Sequence, residues 1–151
     1  MVDDGKLAAR AGAEYRVIDS RVAGTGASAG VRLDHSGIPT VPASVMAREA
    51  LRELGLYGKV SLIVSGGIRS GADAAKALAL GARSVLIGRP LFWGLAVDGK
   101  AGALAVLEML RDELDGTMGM CGRPTIDSID KEGLTALSPL LSTFPQSAEF
   151  R

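Results

Sequence analysis

Two short stretches of the chain place glycine and arginine together directly after an apolar run: Ser65-Gly66-Gly67-Ile68-Arg69 and Gly88-Arg89. Glycine lets backbone N–H groups turn toward an anion in conformations other residues resist. A neighbouring arginine supplies charge-assisted donors to phosphate oxygens. A helix starting just after such a turn adds the positive end of its dipole. Either stretch alone reads equally well as an ordinary turn with a surface arginine. Two of them, about twenty residues apart and with the same chemistry, have the composition of a clamp on one phosphate.

The elements that must position this clamp follow from the hydrophobic period. Lys6–Ala11 is predicted as a short helix behind Asp3 and Asp4, stopped by Gly12, and Tyr15–Asp19 as a strand. Residues 20–42 carry neither a helical nor a strand period, and a loop of that length inside a compact domain is usually functional or mobile. A helix is predicted from Ala43, capped by Ser44, to Leu54. Val60–Val64 is a continuous apolar run, as in strands buried on both faces of a parallel sheet. Ala72–Leu80 reads as a helix ended by Gly81, and Ser84–Ile87 as a third strand. Phe92 and Trp93 are expected to cover outer core. A helix over about residues 101–114 presents Leu104, Leu107, Leu110 and Leu114 as a packing face, with Glu108 and Asp112 solvated.

A helix end at Gly-Ala followed by a strand occurs twice, in AGAEYRVID and LGARSVLIG. Helices alternating with apolar strands predict an α/β fold with a parallel sheet. Ligands of such arrays sit beyond the carboxyl ends of the strands, where both Gly/Arg turns fall. Three strands are too few for a closed (β/α)₈ barrel of roughly 250 residues, so the chain reads as part of one. Residues 1–134 form the partial barrel domain, and residues 135–151, rich in Ser, Pro and Gln toward the end, a C-terminal tail.

Composition narrows the function. The 151 residues are 47% hydrophobic, and 17 basic residues balance 17 acidic ones, which leaves no electrostatic footprint for nucleic acid or an anionic membrane surface. No apolar run reaches the eighteen or so residues of a membrane span, and the N-terminus does not read as a signal peptide. Cys121 is the sole cysteine, so an intrachain disulfide and a cysteine-built metal or iron–sulfur site are excluded within these residues. A reducing, cytoplasmic setting is the expectation.

The segment from Val60 to Ser128, SGGIRSGADAAKALALGARSVLIGRPLFWGLAVDGKAGALAVLEMLRDELDGTM at its centre, closely resembles the last two βα units of the FMN-dependent α-hydroxy-acid oxidase/dehydrogenase family. The resemblance implies the C-terminal portion, about strands six to eight, of an FMN-binding TIM barrel. It also implies that Ser65, Gly66, Gly67, Ile68, Arg69, Gly88 and Arg89 hold the phosphate and ribityl chain of FMN. Ser65 stands where these oxidases usually carry Asp, which leaves a hydroxyl without charge.

The preceding loop differs. Oxidases of this family carry Ser-Asn-His-Gly after the sixth strand, with its histidine as catalytic base. Here SRVAGTGASAGVRLDHSGIPT follows Tyr15–Asp19 and is similar to the FMN-binding domain of glutamate synthase and its single-domain relatives. In that comparison Gly24, Thr25 and Gly26 are candidates to meet the substrate or the flavin edge; a flexible glycine linker is the competing explanation. His35, the only histidine, lies about sixteen residues past the strand, so no residue is assigned as catalytic base.

These resemblances imply an FMN-dependent oxidoreductase acting on a small 2-hydroxy acid or an amino-acid/2-oxo-acid substrate, with no metal. Two alternatives stay open. One is another phosphate-binding barrel, similar to type 2 isopentenyl-diphosphate isomerase or IMP dehydrogenase. The other is a non-catalytic fragment that needs an N-terminal partner half. Open sheet edges predict a homo-oligomer or pairing with such a half.

Overall fold

The computed structural model describes residues 2–20 and 37–134, except the side chains of residues 2–4. Three parallel strands, β1 (Tyr15–Asp19), β2 (Ser61–Ser65) and β3 (Ser84–Leu86), form one sheet in the order β1-β2-β3. Helix α1 (Val2–Arg10) precedes β1, α2 (Thr40–Glu53) precedes β2, α3 (Gly71–Ala79) precedes β3, and α4 (Arg89–Met120) follows it. Two short 3₁₀ turns, Ile126–Ser128 and Lys131–Gly133, complete the described chain. This is the predicted α/β alternation. The repeated Gly-Ala phrase marks equivalent corners: Gly12 and Gly81 end their helices with φ of 93° and 101°, left-handed values that favour glycine.

Strand register divides the sheet into two faces. Ile18 lies opposite Val64, and Val64 opposite Val85. On this face Ile18, Leu62 and Val64 are buried together with Ile68 and with alanines of the helices, Ala43, Ala47, Ala74 and Ala77. Alanine at the contact lets α2 and α3 lie close on the sheet, and each large buried side chain contributes about 1.5–3 kcal/mol. The other face carries Val17, Ile63, Ser65 and Leu86, of which Val17 and Leu86 are exposed. β2 is therefore buried on one face in this chain, with Ser61 exposed and Ile63 half-buried, whereas its apolar run predicts burial on both.

Helix boundaries depart from expectation in α1, which begins at Val2 and so includes Asp3 and Asp4, and in α2 and α4. α2 begins at Thr40, with Pro39 at the N-cap and Pro42 in the first turn, where its missing N–H costs nothing. Ser44 is not the cap: it is fully buried one turn further in, and its hydroxyl donates to the Thr40 carbonyl at 2.7 Å. α4 starts at Arg89 and extends to Met120, broken at Asp98 and Gly99, whose backbone angles leave the helical range. Gly94 and Gly102 meet across that break, so closely that a Cβ on Gly102 would come within 2.0 Å of the Gly94 carbonyl oxygen.

The predicted leucine face of α4 is only partly used. Leu110 is buried, whereas Leu104 and Leu107 are exposed, as are Phe92 and Trp93. Glu108 and Asp112 are exposed as expected, and the Arg111 guanidinium, hydrogen-bonded to Asp112, is held above its ordinary pKa by that carboxylate. By length and composition α4 is long and apolar enough to cross a membrane, a property the sequence did not suggest. It breaks at Asp98-Gly99 into two arms, and Glu113 and Leu114 of the second lie against Gly71 of α3.

Candidate functional site

Register brings the three strand ends to one level: Asp19 pairs with Ser65, and Ser65 with Leu86. Adjacent strands lie about 4.8 Å apart, so the residues that follow them emerge side by side. Those residues are Ser20 after β1, Gly66-Gly67 after β2 and Ile87-Gly88 after β3. The two Gly/Arg turns, separated in sequence by α3, thus become neighbours at the carboxyl end of the sheet.

Gly66 and Gly67 have φ of 99° and 73°, consecutive left-handed values that residues with a Cβ resist. Gly66 is buried and Gly67 half-buried. Ile68 turns inward: it is 5% exposed and belongs to the hydrophobic core. Of the predicted cofactor residues, Ile68 can therefore offer only its backbone to a ligand, and its side chain anchors the turn. Arg69 is exposed, and its backbone N–H donates to Asp73 Oδ2 at 3.2 Å. Ser65 is half-buried on the sheet face opposite the core.

The two helices that start after these turns differ at their N-termini. At α3, Ser70 is the N-cap and accepts from the Asp73 N–H at 3.1 Å, while Glu113 of α4 accepts from the Gly71 N–H at 2.8 Å. The sequence predicts that this helix end helps hold the phosphate; in the structure it is already supplied with a hydroxyl and a carboxylate. At α4, Gly88 is the N-cap and has no side chain that could cap it, and Pro90 lies in the first turn. A Cβ added at Gly88 would meet nothing within 4 Å, so space opens over that backbone. Arg89 is exposed beside it. The residues present fit a phosphate on the Gly66-Gly67 turn and the start of α4.

Sequence reasoning missed three participants. Ser20 and Thr40 join the β1 end to the β2 turn: their hydroxyls lie 2.7 Å apart, and Thr40 Oγ1 donates to the Gly66 carbonyl at 2.6 Å. Glu113 reaches the site from 42 positions away in sequence. No local pattern announces Glu113; for Thr40 the only cue is its place just after Pro39, at a possible helix start. The substrate-loop candidates Gly24, Thr25 and Gly26, and His35, lie outside the described residues. Cys121 is exposed and distant in sequence from these turns. Among the described residues no cluster of His, Cys, Asp or Glu could hold a metal ion.

A family profile described as FMN-dependent dehydrogenase matches residues 23–136. The chain belongs to the FMN-dependent dehydrogenase family. Family members resemble it over most of its length. L-lactate oxidase of Roseobacter sp. (strain GAI101) is 45% identical over 121 residues, covering 79% of this chain and 32% of the relative. Glycolate oxidase of Spinacia oleracea is 38% identical over 121 residues, covering 78% of this chain and 32% of the relative.

Solved structures of the family agree. Mandelate oxidase bound to 3,3-difluoro-2-hydroxy-3-phenylpropionic acid matches with a TM-score of 0.71 and 33% identity, over 87% of this chain and 36% of that one. A mutant flavocytochrome b2 with benzoylformate matches with a TM-score of 0.79 and 26% identity, over 97% of this chain and 35% of that one. The fold is therefore part of the family's TIM barrel, and the chain spans about a third of the length of the relatives it matches. These matches favour the hydroxy-acid oxidase resemblance over the isomerase and IMP dehydrogenase alternatives.

Proposed function

We propose that this chain supplies the phosphate-binding side of an FMN-dependent oxidoreductase of the hydroxy-acid oxidase/dehydrogenase type. The observation that carries the reading is the register Asp19–Ser65–Leu86, which sets the Gly66-Gly67 turn beside Gly88 at the start of α4. Backbone N–H groups of Gly66, Gly67 and Gly88 and the guanidinium groups of Arg69 and Arg89 would receive the phosphate. Ser65, on the open face of the sheet at its carboxyl end, would meet a ribityl hydroxyl. FMN, when bound, supplies the redox chemistry, and the protein supplies position and charge.

The substrate is a small 2-hydroxy acid or, if the loop follows its glutamate-synthase-like resemblance, an amino-acid/2-oxo-acid. Gly24, Thr25 and Gly26 are our candidates to meet it. Ser20 and Thr40, which stand before and after that stretch in sequence, both reach the β2 turn, which supports the reading. A cytoplasmic setting agrees with the single cysteine.

The remaining βα units of the family's barrel lie outside these residues. In the described sheet β1 and β3 each pair on one side only, and Tyr15, Val17 and Leu86 are exposed along them. We assign these edges to a segment carrying the remaining βα units; a second copy of this chain is the other partner they accept. Sedimentation of the chain, alone and co-expressed with the first five βα units of a relative, distinguishes a 1:1 complex from a homo-oligomer.

Titration of the purified chain with FMN and with riboflavin, followed by quenching of flavin fluorescence, tests the clamp. FMN should bind at least about tenfold more tightly, because riboflavin lacks the group that the charge-assisted donors hold. Equal affinity for the two flavins would sink the phosphate assignment.

A further inference from the structure

We propose that Thr40 is a positioning residue for the phosphate turn, fixing the Gly66–Gly67 peptide through a two-hydroxyl relay with Ser20. This rests on the phosphate reading of that turn given above.

The relay has a defined direction. A threonine hydroxyl has one proton, and Thr40 Oγ1 commits it to the Gly66 carbonyl at 2.6 Å. The 2.7 Å contact between Ser20 Oγ and Thr40 Oγ1 must then use the serine proton. Ser20 is 6% exposed, and its backbone N–H donates to the Ser65 carbonyl at 3.1 Å. Two consecutive carbonyls of the turn, Ser65 and Gly66, are thereby tied to one buried serine, one directly and one through Thr40.

The consequence falls on an amide. In a planar trans peptide the C=O and the following N–H point in opposite directions. Holding the Gly66 oxygen toward Thr40 therefore aims the Gly67 N–H away from Thr40. Two adjacent glycines would otherwise sample many orientations of that peptide. The relay removes this freedom before any anion arrives, which is preorganisation in the ordinary sense. It also ties the residue that leaves β1 to the residue that opens α2, twenty positions later.

Thr40→Val removes the hydroxyl with little change of shape, and Thr40→Ser keeps it. Amide hydrogen exchange on the free chain reads the turn without any flavin, and titration with FMN and riboflavin reads the clamp. Thr40→Val should speed exchange at Gly67 and weaken FMN binding, each about five- to tenfold, the usual worth of one such hydrogen bond. Riboflavin affinity should stay within about twofold, and Thr40→Ser should recover both effects. Protection of the Ile18 and Val64 amides reports that the fold is intact. Where Thr40→Val loses that protection, Ser20→Ala, which leaves the Thr40–Gly66 bond in place, should show the same pattern at about two- to threefold.

Unchanged Gly67 exchange in a folded Thr40→Val chain overturns the proposal, as does faster exchange with unchanged FMN affinity. If the unmodified chain binds neither flavin, the FMN reading fails, and Gly67 exchange still decides whether Thr40 orders the turn.

Discussion

Helices α3 and α4 both begin just after a glycine turn at the carboxyl end of a strand, and their first residues are held differently. α3 receives the Ser70 hydroxyl and the Glu113 carboxylate at its first amides. α4 starts on Gly88, which has no side chain to cap it. From the sequence the two starts look equivalent. The difference teaches that a helix dipole after a glycine turn is not by itself an anion site; what already fills its first N–H groups decides. Here the protein's own carboxylate takes the α3 end and ties it to α4, while a Cβ at Gly88, beside Gly66-Gly67, would meet nothing within 4 Å.

The largest expected effect comes from the glycines of the two helix starts. A Cβ on Gly71 would lie 2.1 Å from the backbone nitrogen of Leu114 and 2.5 Å from the carbonyl carbon of Glu113. Neither atom belongs to a flexible side chain, so Gly71→Ala must force α3 and α4 apart. A loss of about 3 kcal/mol or more is expected in urea unfolding. Gly88→Ala meets nothing within 4 Å and should leave stability within about 0.5 kcal/mol. Equal losses in the two variants would break the contrast between the two helix starts.

Next in size are the arginines. Replacing Arg69 or Arg89 with Met should cost about 1.5–3 kcal/mol of FMN binding, roughly ten- to hundredfold, and leave riboflavin nearly unaffected. An effect from Arg89 alone would move the phosphate onto the α4 start; an effect from Arg69 alone would move it to the β2 turn.

The sequence carried these parts unequally. β1 was legible to the residue, because Tyr15–Asp19 is bracketed by a glycine corner and a polar loop. The positions of Gly66, Gly67 and Gly88 at strand ends were equally legible, since apolar period and glycine are local signals. The inward turn of the Ile68 side chain was not legible, because motif resemblance does not say which side of a turn faces the core. The second arm of α4 was legible from about residue 101, just past the turn-forming pair Asp98-Gly99, whereas the first arm, residues 89–97, was read only as an apolar patch. Ser44 could cap or back-bond with the same chemistry, and Pro42 placed the helix start upstream of it. Leu104, Leu107, Phe92 and Trp93 are exposed although their apolar character marks a packing face, because residue type and spacing do not name the surface that covers such a face.

A smaller effect separates capping from ligand binding. Ser70→Ala removes the α3 cap and should cost about 1 kcal/mol in urea unfolding. FMN affinity should stay within about twofold, because the amide that Ser70 satisfies, Asp73 N–H, is spent inside the helix start. A tenfold loss of FMN affinity in a folded Ser70→Ala chain would place the α3 start in the clamp after all.

The smallest expected change is the most discriminating. Glu113→Gln keeps an acceptor oxygen for the Gly71 N–H and removes only the negative charge. If α3 were a third jaw, that carboxylate would compete with the phosphate for the helix end, and neutralising it would tighten FMN binding several-fold. If α3 is sealed for structural reasons and the phosphate lies on the β2 turn and the α4 start, FMN affinity should move by less than about twofold. Unfolding should shift by no more than about 1 kcal/mol, the worth of exchanging a charged acceptor for a neutral one at a helix N-terminus. The FMN titration of this variant, repeated at two salt concentrations to screen long-range repulsion, assigns the jaws with a change of a single atom type.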